Sequence, residues 1–259
     1  MTAEILVSHK GCVTEICMNR PEQLNAMNRE LMQGLENAFS EIDAGKTRAI
    51  LLKGNGRGFC AGGDIRQFLE YLKKDTIPRE LPDTLHRAIE RIREVPVPVV
   101  AAVKGPCAGA GFSLAMACDL VLASENSKFS LAYAKIGLSP DGGSTFFLPR
   151  HLGMKKAMEM FLLPEIFDAE TANSLGFVNR VYHDADFDEK SWDFVRTLAA
   201  GPTRAYGYTK KLMLESWNHS LYKQLERESD FVCDSVLSQD FRSGVEAFLN
   251  KTEPDFKGT

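Results

Sequence analysis

Apolar positions along this chain follow two periods. At 5–8 and 13–18 they alternate with polar ones about Lys10-Gly11, which predicts a hairpin ended by Asn19-Arg20-Pro21. At 28–44 the spacing becomes helical: Leu31, Leu35, Ala38, Phe39 and Ile42 share one stripe, with Asn28 placed to cap it. Short continuous apolar runs then recur at 49–53, 97–103, 120–123 and 178–182, with a shorter strand at 128–130. Helical patterns fall between and after them, at 65–74, around Leu85, Ile89 and Ile92, after Gly111, and at 154–163, 169–175 and 187–200. Strands that are apolar on every residue are those buried on both faces, so the pattern predicts an α/β fold with a largely parallel sheet between helices. Residues 75–82, with Pro78 and Pro82, read as a mobile loop, and 139–144 as a polar loop. From Pro202 the pattern is wholly helical, at 206–216, 221–237 and 241–250.

This divides the chain into a core, 1–200, and a helical region, 201–259. The tail carries more apolar surface than three helices need among themselves, including Phe231, Val236, Phe241, Val245 and Phe248. It is expected to dock against the core or another subunit.

Two glycine-containing loops are near-repeats. The first runs from Lys53-Gly54 through Gly56 and Gly58 to Cys60-Ala61-Gly62-Gly63-Asp64. The second, Lys104-Gly105-Pro106-Cys107-Ala108-Gly109-Ala110-Gly111, leads into a predicted helix at Phe112-Ser113-Leu114. Its side chains are too small for most chemistry, which leaves the backbone N–H groups, and these stabilise negative charge at a helix N-terminus. With one small residue at the end of each loop, Gly63 and Ala110, two N–H groups can be aimed at a single oxyanion.

Composition narrows the chemistry. The 259 residues are 44% hydrophobic and 25% charged, ordinary for a globular chain, and a formal net charge of −4 with no long basic run argues against nucleic acid as a partner. Six cysteines form no CxxC pair and five histidines show no metal-ligand spacing, so neither a metal nor a disulfide framework is expected. Without a secretory or membrane-length segment the expected location is the cytoplasm, with no membrane partner.

Among side chains, Asp141 stands out, set between Pro140 and two glycines. Pro-Asp-Gly is also a common turn, and spacing alone leaves both readings open. The acid–base reading gains from the oxyanion loops, because a stabilised enolate needs a group that moves the proton. Asp64 reads first as a helix cap. His86 reads as a surface histidine beside Arg87 and Glu90, with a pocket-facing role as the alternative. Tyr133 either donates a hydrogen bond in the pocket or packs. Ser113 has no nucleophile elbow around it. The glycines at 54–58 lack the ending of a phosphate loop or dinucleotide fingerprint. Phe112, Phe146 and Phe147 are candidate apolar walls around Asp141.

Over essentially its whole length the chain resembles the crotonase (enoyl-CoA hydratase/isomerase) superfamily. The resemblance rests on Asn19-Arg20-Pro21 with Leu24-Asn25-Ala26, Gly58-Phe59-Cys60-Ala61-Gly62-Gly63-Asp64-Ile65, Gly105 with Ala108-Gly109-Ala110-Gly111, Cys118-Asp119 and Leu138-Ser139-Pro140-Asp141-Gly142-Gly143-Ser144. It implies a spiral of ββα units with a helical C-terminal trimerisation region, assembled as a homotrimer or a hexamer. It also implies an acyl-CoA thioester substrate, with coenzyme A part of that substrate rather than a cofactor, and its carbonyl between the N–H groups of Gly63 and Ala110. Leu24, Ala26, Ala61, Asp64 and Ile65 fall where the family contacts coenzyme A, and His86, Phe112, Ser113 and Tyr133 around the acyl group.

The chain departs from the hydratases at two places. Where similar hydratases carry two glutamates, it has Ser113 and Tyr133, both poor general bases near neutral pH. Asp141 instead matches the single carboxylate of the superfamily's isomerases, among them ring-epoxide and 3-enoyl-CoA isomerases of aromatic catabolism. The resemblance thus implies a double-bond isomerase with Asp141 as proton shuttle. A rival within the superfamily is the 4-chlorobenzoyl-CoA dehalogenases, which are similar at Asp141, His86 and, with another aromatic residue, Tyr133. A rival of another class is an acyl-CoA-binding scaffold without catalysis.

Overall fold

The computed structural model describes residues 3–74 and 78–259. The chain opens with the predicted hairpin, β1 (Ile5–Lys10) and β2 (Val13–Met18), paired antiparallel with Lys10 opposite Val13. Gly11 closes it at φ +60°, a left-handed conformation that glycine adopts without strain. Helix α1 (Arg29–Ser40) starts where Asn28 accepts from the Leu31 N–H at 2.9 Å, as its N-cap position predicts.

β3 (Ala49–Gly54), α2 (Ile65–Leu72), α3 (Glu80–Glu94) and β4 (Val99–Val103) follow. Next come β5 (Pro106–Ala108), α4 (Ala110–Ala117), β6 (Leu120–Ser124) and β7 (Lys128–Ser130). After α5 (Ser144–Leu152) and α6 (Met154–Leu162), the short β8 (Phe167–Asp168) precedes α7 (Ala169–Ser174), β9 (Arg180–Tyr182) and α8 (Phe187–Ala200).

The main sheet has the order β1-β2-β3-β4-β6-β9 and is parallel from β2 onward. Its central strands β3, β4 and β6 are apolar on both faces because both are covered, whereas edge strand β1 leaves Leu6 and Val7 exposed. Ile50, Leu52, Val99 and Ala101 pack toward α1, α3 and α4, whereas Ala49, Leu51, Val100 and Ala102 pack toward Phe187 and Val195 of α8. A small second sheet joins β5 to β7 in parallel and β7 to β8 antiparallel.

The helical tail comprises α9 (Thr203–Ser216), α10 (Leu221–Val236) and α11 (Gln239–Asn250). Its first helix docks on the core. Lys210 is buried and bonds Asp119 at 2.8 Å and the Ile92 carbonyl at 2.7 Å. Arg48 donates to the carbonyls of Gly201 at 2.7 Å and Phe256 at 3.0 Å. By contrast α10 buries no residue, and Leu221, Tyr222, Leu237, Phe248 and Leu249 are exposed. No helix among the described residues is long and apolar enough to cross a membrane.

Two expectations change. The predicted loop at 75–82 falls partly outside the described residues, at 75–77; its end, from Glu80, is the first turn of α3. Pro82 is tolerated there because first-turn N–H groups have no intrahelical acceptor to lose. The second change is α5, which follows the polar loop directly and was absent from the predicted elements.

Candidate functional site

The two near-repeat loops lie against each other. Cys60 N donates to Pro106 O at 3.1 Å and Ala108 N to Cys60 O at 2.9 Å, a parallel bridge centred on Cys60 and Cys107. Both cysteines are fully buried, and burial pushes the Cys60 thiol up to about 12 and the Cys107 thiol well above its ordinary value. They serve as uncharged spacers. Gly111 permits this approach, since a Cβ there would sit 2.3 Å from the Cys60 carbonyl oxygen. Gly109, at φ +50° and ψ −123°, makes the turn into α4 in a conformation that a side chain would oppose.

This pairing leaves two donors over. In the first loop Met27 N donates to Gly62 O at 2.7 Å and Asp64 N to Met27 O at 2.9 Å, while the Gly63 N–H has no acceptor among the described residues. The Ala110 N–H, in the first turn of α4, has none either. Gly63 and Ala110 line the same cleft, of about 490 Å³, so the two donors expected from the sequence are brought to one place.

The cleft is largely apolar, walled by Met27, Phe68, Leu81, Leu85 and Leu138. Asp141 is the one carboxylate on its lining among the described residues, and Lys135 the one cation. The Asp141 loop depends on its glycines. Gly142 and Gly143 have φ of +59° and +76°, and a Cβ on Gly142 would meet the Ser113 Cβ at 2.8 Å. Asp141 is held at both ends. Its carbonyl accepts from the hydroxyls of Ser113 and Ser144, each at 3.0 Å, and its Oδ1 accepts from the Tyr133 hydroxyl at 2.8 Å. The hydroxyls of Ser113 and Tyr133 are themselves 2.8 Å apart. Tyr133 is buried, and this burial, followed by the nearby Asp141 charge, pushes its phenol well above its ordinary range. It is therefore a protonated donor at neutral pH.

The remaining predicted residues separate into three groups. Ala61 and Ile65 line the cleft with Gly63 and Ala110. Leu24, Ala26 and Asp64 form a scaffold beside it. Leu24 O accepts from Ala61 N at 3.0 Å, and Arg20 bridges the Ala26 carbonyl and Asp64 Oδ2, the latter at 2.9 Å. Asp64 also caps α2, accepting from Arg66 N at 3.0 Å, as the cap reading has it. His86, Phe112 and Ser113 lie behind the lining.

Several expectations are corrected here. Phe112 is no pocket wall: it is fully buried edge-on against Phe129, Phe167 and Phe177, at ring separations of 5.6–6.4 Å. Phe146 and Phe147 line a different cavity, shared with α9, and Phe146 is stacked under Arg150 at 3.5 Å. His86 is neither free in solvent nor in the cleft. It is half-buried, and its Nε2 accepts from the Gly142 N–H at 3.4 Å, bracing the loop that carries Asp141.

Two framework residues, Arg20 and Asn25, lie in Asn19-Arg20-Pro21 and Leu24-Asn25-Ala26, yet the sequence alone assigned neither a role. Asn25 is fully buried at φ +55°; it accepts from Arg20 N at 2.8 Å and donates to Gly58 O at 2.7 Å and Asn55 O at 3.0 Å. The signal was an asparagine amid a polar turn, a residue that tolerates left-handed backbone.

The model of one protein family, described as enoyl-CoA hydratase/isomerase, matches residues 8–259. The chain belongs to the enoyl-CoA hydratase/isomerase family. Relatives in this family are similar over nearly their whole length. A protein of Rhodobacter capsulatus described as a probable enoyl-CoA hydratase is 39% identical, covering 94% of this chain and 93% of its own. The 1,2-epoxyphenylacetyl-CoA isomerase of Escherichia coli is 36% identical over 98% of this chain and 99% of its own. The crystal structure of an enoyl-CoA hydratase from Polaromonas sp. JS666 superposes with a TM-score of 0.92 at 32% identity, over 98% and 99% of the two chains. A 4-chlorobenzoyl coenzyme A dehalogenase of Arthrobacter, 31% identical over 95% of this chain and 91% of its own, is also a relative. The fold of this chain is therefore the crotonase fold, and membership alone spans several reactions.

Proposed function

We propose that this enoyl-CoA hydratase/isomerase family member is an acyl-CoA double-bond isomerase acting on 3-enoyl or ring-type CoA esters. The observation that carries the reading is the single carboxylate, Asp141, in an apolar cleft with the unpaired N–H groups of Gly63 and Ala110. Asp141 takes a proton from C2 of a 3-enoyl thioester, and the electron pair moves into a dienolate whose oxygen accepts from Gly63 and Ala110. Removing one such donor typically costs about 100- to 1,000-fold in rate. The protonated Asp141 then gives its proton to C4, and the double bond ends at C2–C3. No water is consumed, so no second carboxylate is required.

Hydration would need a base for water as well as a group for the α-proton, and the residues nearest Asp141 are the hydroxyls of Ser113 and Tyr133. Dehalogenation would use Asp141 as a nucleophile with a histidine to activate water. His86 turns to Gly142 instead, which favours isomerisation. The coenzyme A moiety is assigned to the edge formed by Leu24, Ala26, Ala61, Asp64 and Ile65. Both carboxylate oxygens of Asp64 are already bonded, so its share in that edge is through the backbone. The exposed apolar side chains of α10 and α11 fit a self-associating C-terminal region beyond about residue 200, as a trimer or hexamer.

The test is deuterium exchange at C2 and C4 of 3-enoyl-CoA in heavy water. Asp141→Asn is expected to abolish exchange, by at least about 1,000-fold for a lone acid–base group combined with loss of the shuttle, while CoA-ester affinity stays within about threefold. Exchange at the native rate in this variant rules Asp141 out as the base. Chloride release from 4-chlorobenzoyl-CoA by the native protein would instead favour the dehalogenase.

A further inference from the structure

We propose that Tyr133 is a positioning residue that assigns the proton shuttle to one oxygen of Asp141, Oδ2, by occupying the other. The inference rests on the isomerase reading above. An aspartate carboxyl has a broad, roughly two-fold torsion about its last bond, so nothing intrinsic to the side chain keeps its two oxygens distinct. Here they are distinct. Oδ1 accepts from the Tyr133 hydroxyl at 2.8 Å, and Oδ2 has no hydrogen-bond partner among the described residues.

The clamp is built from three side chains. Tyr133 has a single O–H proton and two oxygen neighbours at 2.8 Å, Asp141 Oδ1 and Ser113 Oγ. A bond to a carboxylate is stronger than one between neutral hydroxyls, so the phenol proton goes to Asp141, and the single Ser113 proton is shared between Tyr133 Oη and the Asp141 carbonyl. Ser113 Oγ also reaches the Asp141 carbonyl at 3.0 Å. Backbone and carboxylate of Asp141 are thus tied to the same Ser113–Tyr133 pair. The raised phenol, buried beside the Asp141 charge, stays a donor rather than competing for the substrate proton.

The clamp acts on the reaction in two ways. When Oδ2 takes the C2 proton, Oδ1 becomes a carbonyl oxygen and keeps its bond to Tyr133, so the carboxyl does not turn and the same oxygen faces C4 for return. The bond to Tyr133 is charge-assisted only while Asp141 is ionised, which favours giving the proton back. A carboxyl free to turn would expose its new proton to exchange with solvent. Tyr133 therefore governs how much of the substrate's own proton is returned, as well as how fast.

The test uses 3-enoyl-CoA carrying deuterium at C2, turned over in ordinary water, with deuterium at C4 of the product measured by mass spectrometry. The native protein is expected to carry a measurable fraction of deuterium from C2 to C4. Tyr133→Phe is expected to lower that fraction at least twofold and kcat about tenfold, with KM within about twofold. 3-Fluorotyrosine at position 133, which keeps both the ring and a donating hydroxyl, is expected to restore the native fraction, and it serves equally if the Phe variant does not fold. A native transfer fraction in Tyr133→Phe, or a lowered one with the fluorotyrosine, overturns the proposal while leaving the isomerase reading in place. Product formed by the native protein with no deuterium at C4 overturns the proposal alone, and a native protein that neither removes deuterium from C2 nor forms the 2-enoyl product overturns both.

Discussion

The two Cys-Ala-Gly loops carry nearly the same sequence and are held in opposite ways. The second opens α4, an eight-residue helix in which every residue is buried, and its position is set by packing on all sides. The first opens α2, which buries no residue; Ile65, Leu69 and Leu72 are all at least half exposed. What holds that loop is polar. Asn25 bonds the backbone on both sides of the glycines, and Arg20 ties Asp64 to the Ala26 carbonyl. Of the two N–H groups proposed as an oxyanion pair, one is therefore fixed by burial and the other by a few hydrogen bonds. Changes near Ala110 should cost both fold and rate, and changes near Gly63 should be graded.

The largest effect is expected from Gly111→Ala, which strikes the contact between the loops. The new Cβ would lie 2.3 Å from the Cys60 carbonyl oxygen and 2.7 Å from the Cys60 Cβ, atoms with no room to withdraw in a buried bridge. Overpacking of this kind costs about 1–3 kcal/mol or more. Because the helix start must shift away from the first loop, the exchange rate should fall at least about 100-fold, the scale of a lost oxyanion donor. Thermal unfolding and the C2 exchange rate measured together check it; native exchange would show that the two loops need not touch.

Asn25→Ala comes next. It removes three hydrogen bonds from a fully buried site and puts alanine at φ +55°, where asparagine is better tolerated. Leaving the Gly58 carbonyl and the Arg20 N–H unpaired should destabilise the protein by about 2–3 kcal/mol. Exchange at saturating substrate should fall less than in Gly111→Ala, since Ala110 keeps its place. An equal or larger loss of rate would mean that the first loop, not the second, sets the geometry.

The same contrast separates what was legible in the sequence from what was not. Central strands were legible because burial on both faces leaves continuous apolar runs, and α8 spans its predicted residues because Asp184 and Asp186 precede it and Gly201-Pro202 stops it. That Gly63, Ala110 and Asp141 line one cleft was legible because their surroundings require glycine, and glycines in a pattern are visible without coordinates. The direction of Phe112 was not, since a helix buried all round has no polar face to orient it. His86 was misread for the opposite reason: polar neighbours along α3 imply solvent, and nothing local points to a loop 56 residues away. Helix α5 was hidden by its Asp-Gly-Gly start and by Pro149 within it. Tyr133 was open between packing and donating, and it does both, buried while bonded to Asp141.

The smallest effect tests the polar loop at its outer end. Asp64 caps α2 through Arg66 N and pairs with Arg20 at 2.9 Å, and Arg20 keeps a second partner in Glu4 at 3.4 Å. Asp64→Ala should therefore cost about 1 kcal/mol, the usual loss of an N-cap, because Arg20 is not left uncompensated. α2 begins one residue after Asp64, and Ile65 lies on the edge proposed for coenzyme A, so fraying of the first turn should raise KM for the CoA ester a few-fold and leave kcat within about twofold. A fall in kcat as large as that of Asn25→Ala would show that the Gly63 N–H is positioned by the cap itself, and the first loop would then depend on its helix as fully as the second does on α4.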